Sequence, residues 1–168
     1  MENLLTNKLK KVKMLAMDVD GTLTDAGMYY SNSGESFKRF YTRDGMGIDL
    51  LHRNGFLTAI ITQENTEIVI ARTKKLKISK VVLGSMNKEH DLRNIAEEFN
   101  LDLEEIAYIG DDINDISAMK IAGVAVAPND CSHSVMEYVD FRTKANGGNG
   151  AVRELCELIL QSQNFSLI

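Results

Sequence analysis

Met14-Leu15-Ala16-Met17-Asp18-Val19-Asp20-Gly21-Thr22-Leu23-Thr24-Asp25 runs from four apolar residues straight into two aspartates and a Gly-Thr turn. The apolar run, with Val12 before it, reads as a strand buried on both faces of a parallel sheet. A buried strand that ends in carboxylates is costly unless something compensates the charge, and a cation is the usual compensation. Side chains alternate along an extended backbone, so Asp18 and Asp20 leave it on the same side. Gly21 then permits a tight turn with exposed backbone N–H groups. The result is a small site of hard oxygen ligands suited to Mg2+, with amides suited to a phosphate. A plain polar turn after a strand is the competing reading of these residues alone, and the rest of the chain decides between them.

Apolar and helical segments alternate outward from this point. Strands are expected over residues 56–61, 81–83, 106–109 and 124–126, with a sixth over 139–142. Helices are expected over 66–76, 88–99, 113–122, 132–138 and 151–160. In the second of these Leu92, Ile95, Ala96 and Phe99 recur at helical spacing. Strand–helix alternation implies right-handed crossovers and an α/β fold, a doubly wound parallel sheet with ligands at the carboxyl ends of its strands. One segment breaks the rhythm. Residues 27–41 hold two strand-like runs around Ser31-Asn32-Ser33-Gly34, a β-hairpin leaving the first strand beside the two aspartates. Its aromatics (Tyr29, Tyr30, Phe37, Phe40, Tyr41) are too many for a solvated loop, so they cover the site or pack on another subunit. Nothing in the chain is long enough for a separate cap domain, and residues 1–168 read as one domain.

Each expected strand end carries a different polar group. The first carries the aspartate pair, the second Thr62, a hydroxyl able to donate to a phosphate oxygen. Past the third comes Lys88, a compact cation at a helix start. Past the fourth comes the acidic cluster Gly110-Asp111-Asp112-Ile113-Asn114-Asp115. Any one of these is ordinary, because acids at a helix start complement the helix dipole and lysines are usually solvated. Their joint succession is not.

Asp18-Val19-Asp20-Gly21-Thr22, Thr62, Lys88 and Gly110-Asp111-Asp112-x-x-Asp115 resemble the four motifs of the haloacid dehalogenase superfamily, in its phosphatase branch. The resemblance covers nearly the whole chain and implies a phosphoric monoester hydrolase with a HAD-like Rossmannoid fold. By it, Asp18 is the nucleophile that forms an aspartyl-phosphate, and Asp20 is the general acid and base. It implies that Asp18, the Asp20 carbonyl and Asp111 hold Mg2+, and that Thr62 and Lys88 bind the phosphoryl group. Asp112 and Asp115 are implied to orient Lys88 and the metal's water shell. These roles agree with the chemistry, because a carboxylate attacking a phosphate dianion needs its repulsion neutralised.

Within the superfamily, the capless length, the hairpin, Leu23 to Gly27, Lys38 to Gly45 and Gly147 to Glu154 resemble a narrower group. It comprises the 3-deoxy-D-manno-octulosonate (KDO) 8-phosphate phosphatases of lipopolysaccharide biosynthesis and relatives acting on nine-carbon, sialic-acid-type sugars. The resemblance implies a homotetramer in which a neighbouring subunit completes each site. Thr62-Gln63-Glu64, in place of the Thr-Gly-Arg typical of octulosonate enzymes, is similar to phosphatases of 2-keto-3-deoxynononate (KDN) 9-phosphate. Glu64, Arg72 and Lys75 are then the expected substrate-binding residues, and the nine-carbon sugar acid the leading substrate. The alternative is KDO 8-phosphate. A reading of another class is a tetramerisation module of the kind associated with acylneuraminate cytidylyltransferases, against which the convergent charges of Asp18, Asp20, Lys88 and Asp111 argue.

A net charge of −5 with no basic block speaks against nucleic acid as a partner. Lys8, Lys10, Lys11 and Lys13 read as the solvated face of a short N-terminal helix. No run approaches the ~20 apolar residues of a membrane span, and the N-terminus lacks a secretory pattern. Cys131 and Cys156 have no Cys-x-x-Cys partner, which suits a reduced, cytoplasmic setting. His52, His90 and His133 lack metal-ligand spacing and read as surface or packing residues.

Overall fold

The computed structural model describes residues 2–166; residues 1, 167 and 168 of the expected 1–168 unit lie outside the described residues. Six parallel strands form one sheet. β1 (Met14–Met17) lies at its centre, with β4 (Leu57–Ile61) and β5 (Lys80–Val82) on one side. β6 (Ile106–Ile109), β7 (Val124–Ala127) and β8 (Phe141–Arg142) follow on the other. The chain builds outward from β1 to β5, crosses back to β6 and builds outward again. β1 is therefore the switch point, where the loops diverge and open a crevice at the carboxyl ends.

Alternation along β1 feeds two cores. Leu15 and Met17 face helices α2 (Thr42–Arg53) and α6 (Ala151–Ser162), while Met14 and Ala16 face α4 (Lys88–Glu98). α6 buries Val152, Leu155, Cys156, Ile159 and Leu160, one stripe at helical spacing. The short α1 (Glu2–Leu9) seats Leu9 in the same core. It contains Lys8 alone of the four N-terminal lysines, and Lys8, Lys11 and Lys13 pair with Asp140, Glu104 and Glu105. α3 (Glu67–Leu76) starts at Thr66, whose hydroxyl accepts from Val69 N–H. His52 is a packing residue, 2.7 Å from the Thr58 hydroxyl. Among the described residues no helix is long and apolar enough to cross a membrane.

The expected hairpin forms as β2 (Tyr29–Ser31) and β3 (Gly34–Phe37), a separate two-stranded sheet. Tyr29 stacks on Phe37 at 4.5 Å between ring centres, while Tyr30 stays 67% exposed.

Three segments differ from the sequence expectation. α2 was not foreseen, because Gly45 and Gly47 weaken its helical signal. The same glycines admit their neighbours: a Cβ on Gly47 would press on the Arg153 backbone, and one on Gly45 on Arg72 and Leu76. Tertiary packing against α6 thus outweighs propensity. The helix expected over 113–122 is a 3-10 turn, Ile113–Asp115, and one short turn of α5 (Ile116–Met119). Asp115 is drawn into the interior there and spends both oxygens on other partners. Residues 133–138 are likewise 3-10 rather than α-helical.

Candidate active site

Asp18, Asp20, Thr62, Glu64, Asp111 and Asp112 line one cavity of about 430 Å3 above the carboxyl end of β1, together with Ala26, Gln63, Ile113 and Asn114. Asp18 continues the parity of Met14 and Ala16, so its carboxylate leaves β1 on the α4 side. There Lys88, the first residue of α4, places Nζ 2.9 Å from Asp18 Oδ1 and 2.6 Å from Asp115 Oδ1. All three side chains are buried. Burial opposes the Lys88 charge, but Asp18 and Asp115 outweigh it and hold the ammonium above its ordinary range. Asn87 caps α4 by accepting from His90 N–H, which fixes where Lys88 begins.

Asp115 is the keystone of this arrangement. Its Oδ1 also accepts from the Tyr108 hydroxyl at 2.6 Å, and its Oδ2 accepts from the Asp111 and Asp112 amides at 2.9 and 3.2 Å. Gly110 is required beneath it, since a Cβ there would overlap the Asp115 carboxylate. Asp112, expected beside Lys88, instead accepts from Ile113 N–H and faces solvent at the cavity wall. Tyr108 was not foreseen, although a tyrosine inside a buried apolar strand signals a hidden polar partner.

Oxygen atoms of Asp18, Asp111 and Asp115 lie within 4.8 Å of one another. With Asp115 fully engaged, Asp18 and Asp111 remain as donors. Burial pushes the Asp111 carboxyl up to about 8, reinforced by Asp18 and Asp115. Burial, then Asp115, raises Asp18 to about 7 against the pull of Lys88. Asp111 Oδ1 is buried with no partner among the described residues. Two crowded, desolvated carboxylates and an orphan oxygen fit a hard divalent cation such as Mg2+. Gly21, at φ +79°, is what lets Asp111 approach, because a Cβ there would occupy its carboxylate.

Asp20 turns elsewhere. Its Oδ1 accepts from Lys38 Nζ at 2.8 Å and from the Thr24 hydroxyl at 3.3 Å. Lys38 follows β3 directly, so the hairpin itself delivers this cation; in the sequence it stands only as the start of the stretch Lys38 to Gly45, with no role of its own. Thr62 is buried, its hydroxyl accepting from Glu64 N–H at 3.2 Å. Gln63 and Asn114 hydrogen-bond at 3.1 Å between the loops after β4 and β6.

Arg72 and Lys75 do not line the cavity. The Arg72 guanidinium donates to the Tyr41 carbonyl and lies 5.2 Å over the Phe40 ring, which ties α3 to the start of α2. Lys75 is exposed near the end of α3. Of the three residues expected at the substrate, this chain brings Glu64 alone to its own cavity.

A family model for haloacid dehalogenase-like hydrolases matches residues 52–155, more than half of the chain. The 3-deoxy-D-manno-octulosonate 8-phosphate phosphatase of Haemophilus influenzae is 34% identical over 164 residues, covering 98% of this chain and 91% of that protein. The crystal structure of the phosphatase of the same name from Moraxella catarrhalis, in complex with a magnesium ion, a phosphate ion and KDO, superposes with a TM-score of 0.95. It is 38% identical, over 98% of this chain and 94% of that one. A HAD superfamily (subfamily III A) hydrolase structure from Legionella pneumophila is 40% identical with a TM-score of 0.95, over 97% and 90% of the two chains. With the expected motif residues brought to one switch point and relatives matching over nearly its full length, the chain belongs to the haloacid dehalogenase-like hydrolases and is a phosphoric monoester hydrolase among them.

Proposed function

We propose that this chain is a Mg2+-dependent phosphatase of a 2-keto-3-deoxy sugar acid, with KDO 8-phosphate as its substrate, acting through an aspartyl-phosphate on Asp18. The observation that carries the chemistry is the buried Asp18 carboxylate with Lys88 on one oxygen and the Asp111 carboxylate, which keeps an orphan oxygen, close by. The eight-carbon substrate replaces the nine-carbon one that Gln63 and Glu64 suggested, because relatives matching nearly end to end carry the octulosonate name. Glu64 at the cavity wall keeps KDN 9-phosphate as the second reading.

In this reading, an Asp18 oxygen bonds to phosphorus as the ester bond breaks, and Asp20 gives its proton to the departing alkoxide. Water then attacks phosphorus, Asp20 takes its proton, and Asp18 is released. Lys88 and Thr62 hold the phosphoryl oxygens, and Asp115 keeps Lys88 extended toward them. Asp18, Asp111 and the Asp20 carbonyl would hold Mg2+, which supplies charge neutralisation between carboxylate and phosphate. Asp112, at the rim, serves the water shell. Residues 1–168 act as one catalytic domain with 27–41 as its flap. The exposed Tyr30 and Phe37 suit a homotetramer in which a neighbour closes the site and the exposed Lys75 serves across the interface, whereas Arg72 stays with Tyr41 and Phe40.

Phosphate release from KDO 8-phosphate and KDN 9-phosphate, with Mg2+ present, tests the reading. A higher kcat/KM for the eight-carbon ester is expected, and Asp18→Asn should lower it by at least ~1,000-fold with folding retained. Activity of Asp18→Asn within tenfold of the parent would overturn the mechanism, and preference for the nine-carbon ester would restore the second reading. No turnover of either ester by an intact tetramer would favour the scaffold module.

A further inference from the structure

Lys38 is the one hairpin residue whose charge is buried against the site. Its side chain is 0% exposed, and Nζ lies 2.8 Å from Asp20 Oδ1 and 2.8 Å from Glu35 Oε1. We propose that Lys38 is a positioning residue that, with Thr24, fixes which oxygen of Asp20 handles the proton. The inference rests on the proposed role of Asp20 as acid and base.

An aspartate carboxylate turns about its last bond, so two equivalent oxygens would compete for the leaving group. Here Oδ1 is engaged twice, by the Lys38 ammonium and by the Thr24 hydroxyl at 3.3 Å. The Thr24 oxygen is itself fixed, accepting from the Gly21 and Ala26 amides at 3.3 Å each. A charge-assisted bond is shorter and stronger than a neutral one, so Lys38 dominates the orientation. Asp20 lines the cavity, and with Oδ1 engaged Oδ2 is the oxygen left to serve it. Its proton passes to the ester oxygen as that oxygen's bond to phosphorus breaks and the Asp18–phosphorus bond forms. In the second half, a water proton returns to Oδ2 as the water oxygen bonds to phosphorus and Asp18 departs. Glu35, on the far side of Nζ, balances the ammonium, so no net positive charge is stranded beside the acid. The arrangement also makes Asp20 depend on the hairpin, since Lys38 arrives only when β3 is seated.

Leaving-group dependence separates this role from a merely structural one. kcat/KM reports events through departure of the leaving group. A primary alkoxide needs the acid, whereas 4-nitrophenolate leaves without it. Lys38→Met should lower kcat/KM at least about tenfold for the better of the two sugar-acid phosphates, both primary alkyl esters, but no more than about threefold for 4-nitrophenyl phosphate. Lys38→Arg should recover most of the alkyl-ester loss. Thr24→Val, which leaves Lys38 in place, should show a smaller loss with the same selectivity, and decides the matter if Lys38→Met does not fold. Equal losses on both esters, or none, with Asp20→Asn remaining selective for the alkyl ester, would overturn the proposal alone. Loss of selectivity in Asp20→Asn itself would overturn the acid assignment, and the proposal with it.

Discussion

Replacing Asp115 by Asn exchanges one carboxylate oxygen for an NH2 group in a position where every neighbour is a donor. On one side stand Lys88 Nζ and the Tyr108 hydroxyl, and on the other the Asp111 and Asp112 amides. Whichever way the amide turns, its NH2 faces two donors, so two hydrogen bonds to a charged acceptor are lost. At ~1.5–3 kcal/mol each, the loss is about 3–6 kcal/mol, close to the ~3–5 kcal/mol for breaking a buried ion pair. Asp115 is 0% exposed and Lys88 2% exposed, so solvent does not soften the effect. Against a typical total of ~5–15 kcal/mol, Asp115→Asn should lower the urea midpoint sharply at an unchanged slope. Tyr108→Phe removes a single bond and should cost about half as much. A change below about 1 kcal/mol for Asp115→Asn would refute the keystone role and show that Lys88 is held by Asp18 alone.

Crowding of Asp18 and Asp111 makes the metal-free fold sensitive to pH. Both carboxyls are raised from 3.8, to about 7 and about 8, so the folded state keeps protons that the unfolded chain has released. The resulting penalty grows from about pH 4 and is complete above about pH 8, so the melting temperature in a chelator should fall over that window. Mg2+ should flatten the dependence, and Asp111→Asn should raise the metal-free melting temperature at pH 8.5 while weakening Mg2+ binding at least tenfold, read by calorimetry. Gly21→Ala should abolish phosphatase activity and lower the melting temperature, because φ is +79° and the new methyl would meet the Asp111 carboxylate. Wild-type melting behaviour in that variant would show that the loop relaxes freely.

The motif residues were legible because each stands at the end of an apolar strand or, for Lys88, at the start of the helix that follows one, where their joint succession of carboxylates, hydroxyl and ammonium is out of place unless it has work there. Asp18, Thr62, Lys88 and Asp111 follow β1, β4, β5 and β6 in chain order, and parallel topology turns that order into neighbourhood. Strand–helix alternation implied the doubly wound sheet, and the Ser31 to Gly34 turn signal, where that alternation breaks, implied the hairpin. Local pattern failed at α2, whose glycines weaken the helical signal although they serve close packing, and at 113–115, where inward capture of Asp115 prevents a regular helix.

What the linear order could not contain is pairing between side chains far apart in sequence. Lys38 and Asp20 meet because the hairpin folds back over the first loop, and Tyr108 and Asp115 because a strand and a turn share one interior. Arg72, by the same logic, is committed to Tyr41 and Phe40. Sequence by itself determined which chemical groups reach the carboxyl edge of the sheet, since strand polarity follows from the order of elements. Tertiary structure decided which partners those groups keep, because desolvation makes every buried charge take the donor or acceptor that packing brings within about 3 Å.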